Sequence, residues 1–147
     1  MSSTMRWRYG ETNPVVLPVA SATVIEIGDL VYFDSGTLKP ASALTYGASY
    51  VWASVPADNA VSRLDPRTAG SVDTTTVGHT PKGLAVAHGT VFVASNTDHR
   101  LLQLAPKTGE PVGTPMRVPH NPFAVAAGAG HVWVTGTADS TLSRIDY

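Results

Sequence analysis

The sequence predicts an all-β chain in which one four-stranded unit is repeated. Three observations support this prediction: a repeat of about forty residues, short apolar runs between turns, and the lack of any helical pattern. The repeat is visible at spacings of 40 and 41 residues in two apolar series, Trp52, Phe92, Trp133 and Leu64, Leu104, Ile145. The turns are rich in Gly, Pro, Asn and Asp. No apolar pattern with a period of 3.6 residues persists along the chain, so no helix is expected.

The N-terminal residues do not belong to the repeat. The stretch "SATVIEIGDLVYFDSGTLKPASA" alternates apolar and polar residues, and its "GD" and "SG" pairs are typical of turns. It predicts two or three short strands. We therefore assign residues 1–44 to an arm and a small β segment, and residues 45–147 to the repeats.

Each repeat unit is expected to contain four strands. In the middle copy these are "GLAVA", "TVFVAS", "RLLQLAP" and "EPVGTPMRV", with "HGT" as a tight hairpin link. The first copy is expected to start at its second strand and the last copy to stop after its third. The chain then holds about two and a half units, and a single unit cannot bury its faces alone.

The composition excludes several classes of function. Ten basic and eleven acidic residues leave a net charge of −1, so no basic surface for nucleic acid is expected. The chain has no cysteine, which excludes disulfides, thiolate zinc sites and cysteine nucleophiles. No signal peptide and no membrane-spanning run are visible, so no membrane partner is expected. The expected location is a virion if the protein comes from a phage, and otherwise the cytoplasm.

The repeat resembles a known blade. A four-stranded unit of 40 to 45 residues is the period of a β-propeller blade. The residues "VWAS…DNAVSRLDPRTAGSV…VGHTPKGLAV" resemble the YVTN/NHL-type β-propellers. The resemblance implies a binding scaffold, with a related branch, the streptogramin lyases, that catalyses elimination with a histidine and a metal ion. The large side chains that would pack between neighbouring blades are Trp52, Phe92 and Trp133.

The first forty residues resemble another family. "MRWRYGETNPVVLPVASATVIEIGDLVYFDSGTLKPASA" is similar to the start of capsid decoration (cement) proteins of tailed phages. The resemblance implies docking on a capsid protein, and arginine and large aromatic residues are common in interface hot spots. The docking residues would then be Arg6, Trp7, Arg8 and Tyr9. The alternative is that these side chains cover the edge of the protein's own sheet.

Few residues indicate chemistry. His79 and His120 occupy equivalent repeat positions, each shortly before a proline, and they form a candidate ligand face. Against a catalytic or metal role, neither has a metal-ligand spacing, and no acidic partner recurs beside them in the sequence. The repeated aspartates Asp58, Asp98 and Asp139 could form a calcium or polar-ligand ring, but Asx-type turns are the favoured interpretation. No catalytic residue, metal or cofactor is predicted.

These observations lead to a functional expectation with two alternatives. We expect a non-enzymatic structural protein that docks on a phage capsid and associates with copies of itself, with a trimer supplying about seven blades. The first alternative is a β-propeller module that binds a ligand or protein without a virion role. The second is an enzyme similar to the streptogramin lyases.

Overall fold

A computed structural model describes residues 31–34 and 37–147 of the chain. The expected docking residues Arg6, Trp7, Arg8 and Tyr9 lie outside the described residues. Two strands at the start of the described residues, β1 (Val31–Asp34) and β2 (Thr37–Pro40), form an antiparallel pair. Across the described ranges, no helix is long and apolar enough to cross a membrane.

The first repeat forms a complete antiparallel sheet. Its strands pair in chain order and are β3 (Ala43–Gly47), β4 (Tyr50–Val55), β5 (Ala60–Leu64) and β6 (Ser71–Thr76). A single 3-10 turn, Pro56–Asp58, lies between β4 and β5. The first copy therefore contains the strand that the sequence comparison left out, and the boundary expected after residue 44 falls inside β3.

The second and third repeats form two further sheets. The second contains β7 (Pro81–Ala87), β8 (Thr90–Ser95), β9 (Arg100–Leu104) and β10 (Met116–Arg117). The third contains β11 (Pro122–Gly128), β12 (His131–Gly136) and β13 (Thr141–Asp146). All strand pairings among the described residues are antiparallel, so the expected all-β, propeller-type architecture is confirmed.

The fourth strand of the middle repeat is much shorter than its sequence predicts. Only Met116 and Arg117 pair as a strand, besides one isolated bridge between Leu104 and Pro111. The intervening segment contains Pro115, which has no N–H to donate to a ladder, and Gly113 with φ +68. These two residues interrupt the apolar run "EPVGTPMRV".

The sheets pack face to face, with one fully buried aromatic side chain at each interface. Between the first and second sheets the buried cluster contains Trp52, Val61, Leu84, Val91, Val93 and Leu104. Between the second and third sheets it contains Phe92, Leu101, Val132 and Val134. Trp52 and Phe92 are each only 1% exposed, whereas Trp133, at the equivalent position of the third sheet, is half-buried. Because side chains alternate along β12, Trp133 lies on the face turned away from the second sheet.

The first strands of the three sheets lie side by side, with β7 between β3 and β11. Their close approach depends on glycine at position 83. A Cβ atom there would lie 2.5 Å from the carbonyl oxygen of Phe123 and 2.6 Å from the backbone nitrogen of Val125. This contact brings the starts of β7 and β11 together.

Candidate functional site

His79 and Asp98 meet at one end of the second sheet. His79 precedes β7 and Asp98 lies in the turn between β8 and β9, and the two loops are neighbours because Pro81 pairs with Ser95. The backbone N–H of His79 donates to Asp98 Oδ2 over 2.7 Å. The ring atom Nδ1 of His79 lies 2.8 Å from Asp98 Oδ1. The aspartate is thus held by both the main chain and the side chain of one histidine.

The third sheet repeats this pair with His120 and Asp139. Here Pro122 pairs with Gly136, which places the start of β11 beside the end of β12. The backbone N–H of His120 donates to Asp139 Oδ2 over 2.9 Å, and His120 Nδ1 lies 3.0 Å from the same oxygen. The side chains of His79 and His120 remain 71% and 66% exposed. Both rings are therefore oriented by a carboxylate and open to solvent.

The pairing determines which ring nitrogen carries the proton. An ionised carboxylate only accepts hydrogen bonds, so Nδ1 of the neutral imidazole must carry the hydrogen. Nε2 then keeps its lone pair and can accept a hydrogen bond or a proton from a ligand. The two pairs consequently present two oriented imidazole acceptors on the same side of the module.

The sequence-based expectation that no acidic partner recurs beside the histidines was wrong. The partner of each histidine lies 19 residues further along the chain, in both copies. The carboxylates of Asp98 and Asp139 do satisfy a backbone N–H, but it belongs to a distant loop and not to a local Asx turn. The constant separation of 19 residues was a signal that could have revealed the pairs.

Both aspartates are stabilised in their ionised form. Partial burial raises the pKa of Asp98, but hydrogen bonds from the Ser95 hydroxyl and from the N–H and ring of His79 lower it more, so the pKa lies below the ordinary value of an aspartate. For Asp139, the hydrogen bond from the backbone N–H of His120 is the main cause of a pKa below the ordinary value of an aspartate. Desolvation opposes this second shift, and the rings of His120 and His99 add to it.

Two residues that support the first pair were missed by sequence reasoning. The hydroxyl of Ser95 lies 2.8 Å from Asp98 Oδ2 and 3.0 Å from the carbonyl oxygen of His79. Since a hydroxyl has one hydrogen, it donates to the carboxylate, the stronger acceptor. Gly78 leaves room for this contact, because a Cβ atom there would overlap both Asp98 Oδ2 and Ser95 Oγ.

A third imidazole, that of His99, lies beside His120. The two ring centroids are 4.7 Å apart and the ring planes are at 82°. The backbone N–H of Asn121 donates to His99 Nδ1 over 3.1 Å, so the neutral His99 ring carries its hydrogen on Nε2. Asn59 stands 40 residues before His99 and accepts the equivalent hydrogen bond: its Oδ1 accepts from the backbone N–H of Thr80 over 2.9 Å. His99 thus adds a ring donor beside the acceptor of His120.

We refer to these five residues, His79, Asp98, His99, His120 and Asp139, as the histidine face. In the first copy, Lys39 stands 40 residues before His79, so the histidine is not repeated there. Among residues 31–34 and 37–147, no three histidine or acidic side chains converge in a way that could hold a metal ion. The repeated aspartates therefore form separate pairs, and the structure does not bring Asp58 into a ring with them.

Several solved structures have a similar fold. A streptogramin B lyase matches with a TM-score of 0.56 and 17% identity, over 76% of this chain and 45% of the lyase. Glutaminyl cyclase from Myxococcus xanthus matches with a TM-score of 0.58 and 12% identity, over 79% of this chain and 64% of the cyclase. A catalytically inactive histidine-to-alanine variant of virginiamycin B lyase from Staphylococcus aureus, solved with quinupristin, matches with a TM-score of 0.53 and 17% identity. The match covers 78% of this chain and 47% of the lyase.

These similarities define the class of the protein by its fold. The chain is a propeller-type all-β module that spans between 45% and 64% of the length of these three neighbours. No family model matches the chain, and no curated protein matches its sequence. The finer resemblances, to YVTN/NHL repeats and to phage decoration proteins, therefore gain no support from these comparisons.

The expectation of a non-enzymatic protein needs correction. Structural neighbours of this chain include a lyase and a glutaminyl cyclase, so the fold offers no ground for excluding catalysis. The expectation rested in part on the lack of an acidic partner for His79 and His120, besides the lack of a metal-ligand spacing. The structure supplies that partner in both copies.

Proposed function

We propose that this chain is a propeller-type recognition module whose ligand-binding surface is the histidine face. The observation that carries the proposal is the duplicated His–Asp pair. In both copies the histidine N–H donates to a carboxylate that also contacts ring Nδ1 and orients the ring, yet about two thirds of each histidine side chain stays exposed. Oriented polar side chains on loops of a rigid scaffold are typical of binding sites.

The hydrogen-bonding pattern favours ligands that combine donors and acceptors. Nε2 of His79 and of His120 can accept from a hydroxyl or amide N–H. Nε2–H of His99 can donate to an ether, hydroxyl or carbonyl oxygen next to the His120 acceptor. Polyols and peptide amides have both kinds of group, and we expect such compounds to bind at this face.

The test is a screen of the full chain against small hydroxyl- and amide-bearing compounds, with glycerol, glucose and N-acetyl amino-acid amides as probes. Backbone NMR spectra should show shifts that cluster at residues 79–80, 96–99 and 119–121. The double substitution His79→Ala with His120→Ala should abolish them. His88→Ala is the matched control, because His88 lies in the β7–β8 turn at the opposite end and contacts Tyr147. Shifts that survive the double substitution would contradict the proposal.

A second candidate function is general acid–base catalysis at the same pairs. A carboxylate at Nδ1 fixes the tautomer and leaves Nε2 as a proton acceptor, the arrangement found in many catalytic histidines. The neighbouring lyase that loses catalysis on replacement of a histidine motivates a direct assay. If this candidate is right, the chain turns over quinupristin and His120→Ala abolishes the turnover. If the parent chain gives no product with or without a divalent metal, lyase activity is ruled out.

The capsid role and self-association remain predictions. The outer face of the third sheet favours association, because Leu142 is 64% exposed there and Trp133 is only half-buried. Native mass spectrometry tests the predicted trimer directly, and a stable monomer would contradict it. Deletion of residues 1–44 tests docking through the arm, although it also removes part of β3. A shortened chain that starts at Ala41 keeps that strand and is the better comparison.

A further inference from the structure

A small groove lies where the first strands of the three sheets meet. Its volume is about 180 Å³, and its lining includes Ser42, Lys82, Gly83, Phe123, Ala124 and Val125. Lys82 comes three residues after His79, and Phe123 comes three residues after His120. The groove therefore adjoins the histidine face, at the same end of β7 and β11.

The groove holds a positive charge that no described carboxylate neutralises. Lys82 Nζ lies 3.4 Å from Ser42 Oγ, a long hydrogen bond to a neutral acceptor. Within the described ranges, no acidic side chain is at salt-bridge distance from it. The main chain at this residue is fixed, because the buried hydroxyl of Ser54 donates to the Lys82 carbonyl oxygen over 2.6 Å. The backbone that carries the ammonium group is thus held in place by this hydrogen bond.

The opposite wall of the groove is an exposed aromatic ring. Phe123 is 50% exposed although it lies inside a strand. Lys82 Nζ is 5.9 Å from the ring centroid, at the outer limit of about 6 Å for a cation–π contact, so this attraction is weak. The backbone of Phe123 is held against Gly83, where a Cβ atom would lie 2.5 Å from its carbonyl oxygen. Within the part of the chain that the structure describes, both the ring and the ammonium group therefore remain available to a ligand.

We propose that this groove binds a small aromatic carboxylate. The ligand ring packs on Phe123, and its carboxylate accepts hydrogen bonds from Lys82 Nζ and from the hydroxyl of Ser42. A charge-assisted bond of this kind is about twice as strong as a neutral one, and the lysine repels cationic ligands. The inference rests on the proposed function only in that both assign ligand binding to the same end of the module.

The test is a titration of the full, isotope-labelled chain with 3-phenylpropionate, followed by NMR shifts of residues 42, 82–83 and 123–125. 3-Phenylpropionamide keeps the ring and removes the charge, and we expect it to bind about tenfold more weakly. Lys82→Met keeps the aliphatic stem and should weaken the acid to the same extent without affecting the amide. Lys107→Met, an exposed lysine in another loop, is the matched control and should change nothing.

Phe123→Leu tests the aromatic wall and should weaken both probes alike. Equal binding of the acid and the amide, an unchanged affinity in Lys82→Met, or shifts that map elsewhere would overturn the proposal.

The two proposals fail separately. If 3-phenylpropionate binds in the groove while glucose and the N-acetyl amides do not bind at His79 and His120, the groove proposal is supported and the histidine-face proposal is wrong. If those probes bind at the histidine face and 3-phenylpropionate does not bind, only the groove proposal is overturned.

Discussion

The two His–Asp pairs share the same contacts between histidine and aspartate but differ in the residues that stabilise the aspartate. In the second sheet, Asp98 also accepts from Ser95, and Gly78 provides the space for that contact. The residue 41 positions after Ser95 is Gly136, which cannot be replaced by serine without displacement. A Cβ atom at Gly136 would lie 2.6 Å from Thr141 Oγ1 and 2.7 Å from Pro119 Cβ. The second pair therefore lacks the hydroxyl that the first pair has.

This difference shows which hydrogen bonds both pairs share and which one strengthens only the first pair. Both copies share the bond from the histidine N–H to the aspartate and the contact at Nδ1, so these two bonds define the geometry. The serine is an addition in one copy only. The second pair instead has His99 beside its ring. We infer that the first pair is the more rigid and the second the more versatile in its hydrogen bonding.

The largest expected effect is on the packing between the second sheet, which carries the first pair, and the third sheet, which carries the second pair. Phe92→Ala removes the buried ring between them and should lower the free energy of unfolding by about 3–4 kcal/mol. His120 and Asp139 should then lose order before His79 and Asp98. Chemical denaturation with NMR of the histidine rings measures both effects.

Trp133→Ala is the control for this substitution. Because Trp133 is half-buried, its replacement should cost about 1 kcal/mol. A cost equal to that of Phe92→Ala would mean that the outer face of the third sheet is covered in solution, as the predicted self-association requires.

The next effect is selective for the first pair. Gly78→Ala places a methyl group against Asp98 and Ser95 and should cost about 1–3 kcal/mol through displacement of the carboxylate. The resonances of the His79 ring should change and those of the His120 ring should not. Gly128→Ala is the matched control, since nothing lies within 4 Å of a Cβ atom there. An unchanged His79 ring would refute the role assigned to Gly78.

A smaller effect tests the serine that distinguishes the pairs. Ser95→Ala removes one hydrogen bond to Asp98 and should lower the free energy of unfolding by about 1 kcal/mol. The pKa of Asp98 should rise toward its ordinary value, while the pKa of Asp139 should stay the same. Carboxyl NMR titrations of the parent and the variant decide this. Parallel rises at both aspartates would show that the pairs are not independent.

The smallest effect concerns acid stability. Both aspartates have a pKa below the ordinary carboxyl value, so their ionised forms stabilise the folded chain. This contribution is complete above the unfolded pKa of about 4 and is lost as the pH falls through the folded pKa. Unfolding measured from about pH 7 to about pH 2 should therefore show a steeper loss below pH ~4 in the parent than in Asp98→Asn. Identical slopes would contradict the pKa shift of Asp98.

The sequence allowed much of the fold to be predicted and little of the site. The spacing of Trp52, Phe92 and Trp133 reflects the geometry of one repeated unit, so the sheets and their packing positions were accessible from periodicity. The strand β3 was missed because it adjoins β1 and β2 without a break in composition. The His79–Asp98 contact was missed because hydrogen bonds across a hairpin depend on which loops meet, and not on nearness in sequence.

We infer that carboxylates orient the imidazoles of the histidine face toward a ligand. Long-range ¹H–¹⁵N NMR of the neutral imidazole rings tests it most directly, because it reports which nitrogen carries the hydrogen. The structure predicts hydrogen on Nδ1 for His79 and His120, and on Nε2 for His99. A spectrum in which His79 and His120 carry their hydrogen on Nε2 would show that the pairs do not form, and the account of this face would be wrong.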